Sequence, residues 1–135
     1  MSDTRINELA TDKLLSTFAE ILETLRDRGI VRSANNPVAG YAEWLVQKAL
    51  LVKLAKNSTT GYDAVDSSGQ RYEIKARRFT PRGKMTHFSA IRGLEKRHFD
   101  RLAAVVFNQD FSVKRAGLIP YEIVKKRAVF RSHVN

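Results

Sequence analysis

The sequence contains no cysteine. Disulfides, thiol catalysis and thiolate zinc sites are therefore excluded, and the composition fits a reducing cytoplasm, where we expect the protein to reside. No apolar run approaches the ~20 residues that span a bilayer, and the N-terminal stretch is too polar for a secretory signal. We therefore predict no membrane partner. The seven glycines have no phosphate-cradling spacing, so no nucleotide-binding loop of that kind is expected.

Acidic residues are in the minority. The chain has 24 Lys plus Arg against 14 Asp plus Glu, a formal net charge of +10. A small domain with this excess is attracted to polyanions, among which nucleic acid is the commonest, although a basic scaffold or ribosome-like protein has the same composition. The 135 residues, 43% of them hydrophobic, suit one domain with a real core.

Two helices are predicted in the first part of this single domain, 1–135. Apolar residues recur at three- and four-residue steps over 4–28, within an N-terminal helical segment that ends near residue 30. A second helix is predicted from Asn36 and Pro37, or from Gly40, to about Lys56. The core of the domain is expected to span 37–130.

Strands are predicted in the second part of the chain. A hairpin is expected around the turn 67–69, and the apolar run 102–107 is typical of a buried central strand. Segments 111–113 and 118–119 extend the sheet, a short helix capped by Ser89 is predicted over 89–98, and another opens at Pro120. A last strand is predicted at Val129 and Phe130. The order indicates an α/β domain with helices packed on a mixed sheet.

The hairpin brings two acids together. Gly69 suits the left-handed last position of a three-residue turn, which pairs Asp66 with Gln70 and sets Asp63 opposite Glu73, with Cβ atoms roughly 5 Å apart. In this register Tyr62, like the alternating apolar residues, lies on one face, whereas the acids and Lys75 share the other. Two carboxylates so close repel each other unless a hard divalent cation lies between them. The alternative is a surface hairpin in which Lys75 and Arg71 pair with solvated acids.

A third acid lies near the start of the largely apolar second helix. Glu43 is either favoured there by the helix dipole or directed towards the same metal site. Gln47, one turn later, is either a surface residue or one that orients Glu43 or contacts a phosphate.

The pattern Asp63, turn, Glu73-Ile74-Lys75 resembles the D…(D/E)xK signature of the PD-(D/E)xK nuclease superfamily, and Glu43 resembles the helical Glu that often accompanies it. Tyr62 stands where many members have proline. The resemblance covers 37–130 and implies a restriction-endonuclease-like α-β-β-β-α-β core with an additional N-terminal helix; the whole chain also resembles small bacterial proteins of this kind.

The resemblance implies a metal-dependent nuclease that hydrolyses phosphodiester bonds, with DNA favoured as substrate. Glu43, Asp63, Glu73 and the carbonyl of Ile74 would bind Mg²⁺ or Mn²⁺, and Lys75 would orient the attacking water. The nucleic-acid backbone would be held by the cations that follow Lys75, namely Arg77, Arg78, Arg82 and Lys84. His87 is a possible further contact. Cleavage of both strands would require a homodimer.

Two other functions remain open on the sequence alone. One is a catalytically silent module that binds nucleic acid or assembles with other proteins, and the other is a basic scaffold. Asp66 and Asp100 are interpreted as turn and cap residues, and Tyr41 and Trp44 as core or rim residues. The scattered histidines His87, His98 and His133 lack metal-ligand spacing.

Overall fold

The computed structural model of the chain describes residues 5–56, 61–83 and 88–128. In this part of the protein, three α-helices accompany a five-stranded mixed sheet. The helices are α1 (Thr11–Asp27), α2 (Pro37–Leu50) and α3 (Tyr121–Arg127). The strands are β1 (Lys53–Leu54), β2 (Ala64–Val65), β3 (Arg71–Arg78), β4 (Arg101–Phe107) and β5 (Val113–Pro120). The predicted α/β class is confirmed.

The strands lie in chain order, β1-β2-β3-β4-β5, and only β3 and β4 run parallel. The connection between these two parallel strands was predicted to contain a helix over 89–98. Instead, residues 89–98 carry a 3-10 turn, Leu94–Lys96, preceded by Gly93 in the left-handed region. The remaining pairs are antiparallel, so short turns are enough to join them.

The ends of the helices follow local capping chemistry. Asn36 accepts a hydrogen bond from the main-chain nitrogen of Val38, which confirms the first of the two predicted starts for α2. The predicted end near Lys56 was wrong, because Leu51 takes a left-handed conformation and the next residues pair in β1. Helix α1 begins later than predicted, at Thr11, after a 3-10 turn at Ile6–Glu8, and ends before Gly29, whose φ is +72°.

Two hydrophobic clusters cover opposite faces of the sheet. The first packs α2 against the sheet around the fully buried Phe107. The second lies beneath α3 and is formed by Phe99, Leu102, Tyr121 and Val124. Each face of the sheet therefore has its own helix, which explains why β4 is apolar on both sides.

Near its turn the hairpin has the predicted register, but the predicted pairing of Asp63 with Glu73 does not form, because the main-chain nitrogen of Asp63 donates to the carbonyl of Tyr72. Ala64 pairs with Tyr72, Val65 with Arg71, and the main-chain nitrogen of Asp66 donates to the carbonyl of Gln70. Gly69 has a φ of +87°, as the three-residue turn requires. Of the predicted segments 111–113 and 118–119, Val113 and residues 118–119 belong to one strand, β5, whereas Phe111 and Ser112 precede it. Pro120 caps α3 as expected. The predicted strand at Val129 and Phe130 lies outside the described residues.

Candidate active site

The candidate site lies where β2 leaves its regular pairing with β3. The main-chain nitrogen of Asp63 donates to the carbonyl of Tyr72, although Tyr72 is already the partner of Ala64. The strand therefore bends at Asp63, and its carboxylate accepts a 2.6 Å hydrogen bond from the main-chain nitrogen of Ile74. The bend also corrects one prediction: Tyr62 packs against the second cluster, not on the face of Ala64.

Glu73 and Lys75 follow on β3, on the face opposite the buried Ile74. Their charged atoms are 3.5 Å apart, and both side chains are more than four-fifths shielded from solvent. The ammonium of Lys75 also donates to the hydroxyl of Ser89 at 3.0 Å and to the carbonyl of Ala90 at 3.2 Å. Lys75 is thus held by Glu73 on its own strand and by residues 89–90 of the connection that follows.

Glu43 reaches the site from the first turns of α2. It accepts a 3.0 Å charged hydrogen bond from Arg32, whose guanidinium also donates to the carbonyl of Ala55. The main-chain nitrogen of Ala55 in turn donates to the carbonyl of Asp63, so the same few residues connect Glu43 to the bend in β2. Gln47 lies half-buried one turn further along α2.

The three acids share an unfavourable electrostatic environment. Burial raises the pKa of Glu73 to about 7, with a further contribution from the charge of Asp63 and partial relief from Lys75. Burial likewise raises the pKa of Asp63, although the hydrogen bond from Ile74 opposes the shift. Burial also raises the pKa of Glu43, against the effect of Arg32 and with a smaller contribution from Asp63. Asp63 is therefore electrostatically coupled to both other acids.

Asp66 in the hairpin turn and Asp100 before β4 have structural roles, as predicted. Asp66 accepts hydrogen bonds within the turn and from the hydroxyl of Tyr72, and these lower its pKa. The carboxylate of Asp100 accepts from the main-chain nitrogen of Arg71, which lowers the pKa of Asp100 in the same way. Neither acid is directed to the site. Tyr41 stacks on Phe107 in the core, as expected.

The donor set suits a hard cation, but it is not a closed cage. Carboxylate and carbonyl oxygens are the ligands that Mg²⁺ prefers, and proteins often hold this ion through only one or two carboxylates. Within 5–56, 61–83 and 88–128, no three acidic or histidine side chains converge into a ready-made metal cluster. Asp63 and Glu73 are therefore the residues that would hold such an ion directly, with Glu43 acting through water.

Two of the predicted backbone-binding cations, Arg77 and Arg78, lie on opposite faces of the sheet. Arg78 lies on the α2 face of the sheet, where its guanidinium is 4.7 Å from the ring centre of Phe111 and donates to the carbonyl of Gln109. It borders a surface pocket of about 600 Å³ lined by polar residues, on the opposite face of the sheet from Glu73 and Lys75. Arg77 alternates to the face of Lys75, and Arg82 is exposed in the connection that follows. Lys84 and His87 lie outside the described residues.

Three residues of the site were missed by sequence reasoning. No role was predicted for Arg32, yet it is the ion-pair partner of Glu43. Ser89 was predicted as a helix cap, but no α-helix forms there and its hydroxyl binds Lys75. Ala90 contributes only a carbonyl, for which the sequence carries no signal.

No protein-family model matches the chain, and no curated protein is significantly similar to it. No helix in the described part of the chain is long and apolar enough to cross a bilayer.

Proposed function

We propose that the protein is a metal-dependent nuclease of the PD-(D/E)xK kind, acting on phosphodiester bonds and most readily on those of DNA. The observation that carries the proposal is the position of the Asp63 carboxylate, which is bound to the main-chain nitrogen of Ile74, between Glu73 and Lys75 in the chain. The charged atoms of Glu73 and Lys75 are 3.5 Å apart. Structural stability gives no reason to bury two repelling carboxylates together. A divalent cation between them turns the repulsion into attraction.

Each residue has a defined task in this proposal. A bound Mg²⁺ or Mn²⁺ would supply Lewis-acid chemistry, lowering the pKa of a water and neutralising the scissile phosphate. Asp63 and Glu73 would hold the ion, and the carbonyl of Ile74 could add a ligand between them. Lys75 would orient the attacking water and stabilise developing negative charge. Ser89 and Ala90 fix the ammonium, so little reorganisation is required.

The arrangement of the strands also supports the superfamily assignment. The Asp-bearing strand, the E-x-K strand and the preceding helix with its Glu follow in the order that the resemblance implies. The connection from β3 to β4 departs from the expected core, since a 3-10 turn stands where a helix is expected. The restriction-endonuclease-like topology thus belongs to the proposal, together with the cytoplasmic location.

A homodimer is part of the same proposal, because one site cuts one strand. Helix α1 offers a surface for it: Leu15, Phe18 and Ile21 are 65%, 55% and 49% exposed. The helix has four acids and two basic residues, in a chain whose net charge is +10. An anionic helix repels nucleic acid but attracts a basic protein surface, and a second copy of this chain provides one.

The test is incubation of the protein with plasmid, linear, single-stranded and branched DNA in Mg²⁺ or Mn²⁺. Cleavage should require the metal and should be lost in Asp63→Asn and in Lys75→Ala. Arg101→Gln, a change of an exposed cation outside the site, is the matched control and should retain activity. If no substrate is cut, but DNA is still bound, the catalytically silent binding module replaces the nuclease.

A further inference from the structure

The face of the sheet that carries Glu73 and Lys75 is only partly covered. Directly paired residues of neighbouring strands point to the same side, so the face can be followed in rows across β3, β4 and β5. The row of Glu73 contains Leu102 and Ile119. Leu102 belongs to the cluster beneath α3, and Ile119 packs against that cluster. Helix α3 and its cluster therefore close one side of the site.

The next row has small residues. Lys75 pairs with Ala104, and Ala104 pairs with Gly117 on β5. Gly117 is exposed, and a Cβ atom placed on it would meet no atom of the described residues within 4 Å. A floor of small residues therefore extends from Lys75 across β4 to the edge strand.

Cations follow in the third row. Arg77 pairs with Val106, and Val106 with the exposed Arg115. The register shifts by one residue between Val106 and Phe107, which makes Lys114 the extra residue of a bulge. A bulge redirects its side chain, and the ammonium of Lys114 lies 4.7 Å from the ring centre of Phe79.

Phe79 is the aromatic residue of this surface. Its main-chain nitrogen donates to the carbonyl of Phe107, so it continues β3, and alternation places its side chain on the face of Lys75 and Arg77. The side chain is 49% exposed and is therefore not an anchor in either hydrophobic cluster. The ammonium of Lys114 lies over the ring, and about half of the side chain remains open to solvent.

An exposed ring beside a row of cations is the combination that binds single-stranded nucleic acid. The cations contact phosphates and the ring stacks on an unpaired base, whereas the bases of a duplex are already stacked and out of reach. Phe79 is four residues beyond Lys75, or about 13 Å along the strand, which corresponds to no more than about four nucleotides. One bound strand can thus contact both.

We infer that this face, comprising Phe79, Lys114, Arg115 and the floor at Gly117, binds a single-stranded segment of the substrate and directs it to the site at Lys75. Cleavage of the bound strand at Lys75 rests on the proposed function, whereas the binding of the strand does not. It assigns the substrate class as single-stranded nucleic acid or a duplex with a single-stranded arm.

The experiment measures affinity in EDTA, so that cleavage plays no part. A labelled 15-nucleotide single strand and a blunt duplex of the same sequence are titrated with wild type, Phe79→Ala and Phe79→Leu. The single strand should bind more tightly than the duplex. Both variants should weaken single-strand binding by about fivefold or more, the equivalent of the ~1 kcal/mol at the low end for one stacked base, and should change duplex binding less than twofold.

Leu118→Ala is the matched control. Leu118 is also an exposed apolar residue, 41% accessible, but it pairs with Ala103 and so lies on the opposite face of β5. The Leu118→Ala variant should bind both nucleic acids as the wild type does. Thermal melting should show that all variants are folded. Phe79→Leu keeps an apolar side chain, so a loss of affinity in this variant isolates the aromatic ring.

Two results would overturn the inference: a duplex bound as tightly as the single strand, or Phe79 variants that bind like Leu118→Ala. Either result leaves a duplex-specific nuclease possible. Conversely, a protein that binds single strands through Phe79 but cleaves nothing in Mg²⁺ or Mn²⁺ contradicts the proposed function and leaves the inference standing.

Discussion

The carboxylate of Asp63 accepts a 2.6 Å hydrogen bond from the main-chain nitrogen of Ile74, in the position where an antiparallel ladder would use a carbonyl. The charged side chain thus replaces a backbone acceptor at the point where the strand bends. This contact holds the carboxylate of Asp63 against β3 next to Glu73, so the fold itself keeps the two repelling groups near each other.

Replacing Asp63 by Asn separates folding from metal binding. An amide oxygen can still accept the hydrogen bond from Ile74, while the repulsion with Glu73 and Glu43 disappears. The free energy of unfolding of the metal-free protein should therefore stay the same or rise by about a few tenths of a kcal/mol. Its melting temperature should stay the same or rise slightly. The upward shift that Mg²⁺ gives the wild type should be lost, because a hard anionic ligand is gone.

Thermal melting of both proteins with EDTA and with Mg²⁺ is the measurement. If Asp63 served mainly as an ion-pair partner of Lys75, the Asn variant would instead melt at a lower temperature in EDTA, and the metal site would be refuted.

Glu73 should make stability depend on pH. Its pKa in the folded protein is about 7, above the ordinary 4.5, so the folded state holds this proton more tightly than the unfolded state. The stabilisation is fully present below about pH 4.5 and is lost as the pH rises towards 7. Its upper limit is about 3 kcal/mol, since one pKa unit corresponds to about 1.4 kcal/mol.

Glu73→Gln removes this titration. Urea unfolding of wild type and variant in EDTA, between pH 4.5 and 8, should give a difference in unfolding free energy that changes with pH up to about 7 and is constant above it. The free energy of unfolding of the variant should increase relative to that of the wild type as the pH rises. A difference that is independent of pH would mean that Glu73 is ionised throughout.

Lys75 should matter for turnover and not for metal uptake. Lys75→Ala removes the ammonium that would orient water, yet it leaves Asp63 and Glu73 in place. Calorimetric titration with Mg²⁺ at pH 8.5, above the pKa of Glu73, should give an affinity within a few-fold of wild type, whereas cleavage should fall by at least about 100-fold. Loss of metal uptake in Lys75→Ala would show that Lys75 only supports the ligands.

Ser89→Ala provides the graded comparison. It removes one of the hydrogen bonds that hold the ammonium and leaves the carbonyl of Ala90 and the pair with Glu73. Its effect on turnover should lie between wild type and Lys75→Ala. An effect equal to that of Lys75→Ala would give Ser89 a direct role in the reaction.

The sequence predicted the hairpin and its acids well because the information is local. The left-handed position of Gly69 and the alternation of apolar residues fix the register of Tyr72 and Ile74. The bend at Asp63 was not predictable, since it depends on a side chain replacing a backbone acceptor. Arg32 and Ser89 were missed because their partners, Glu43 and Lys75, are brought to them only by tertiary folding.

The first helix illustrates the opposite case. Its apolar periodicity correctly predicted a helix, but periodicity does not identify what covers the apolar stripe. In the structure only Leu22 of α1 is buried, whereas Leu15, Phe18 and Ile21 remain exposed. An amphipathic pattern can reflect packing within the chain or against a second copy, and the sequence alone cannot separate the two.

The exposed stripe of α1 should govern the oligomeric state. Phe18→Glu places a charge in the centre of the stripe without disturbing the buried Leu22. Sedimentation equilibrium should give a dimer for the wild type and a monomer for the variant. Ile123→Glu, a similar change at an exposed apolar residue of α3, should leave the dimer intact. A monomeric wild type at high concentration would refute this dimer.

The salt dependence of binding should identify which cations contact phosphates. Each phosphate neutralised on a single strand contributes a slope of about −0.7 in log affinity against log salt. Arg115 lies on the face of Lys75, so Arg115→Gln should reduce the slope by about that amount. Arg78 lies on the opposite face against Phe111, so Arg78→Gln, which removes the same charge, should leave the slope unchanged.

Fluorescence anisotropy of the labelled single strand at four salt concentrations in EDTA measures both variants. A reduced slope for Arg78→Gln with an unchanged one for Arg115→Gln would place the nucleic acid on the α2 side of the sheet, away from Lys75.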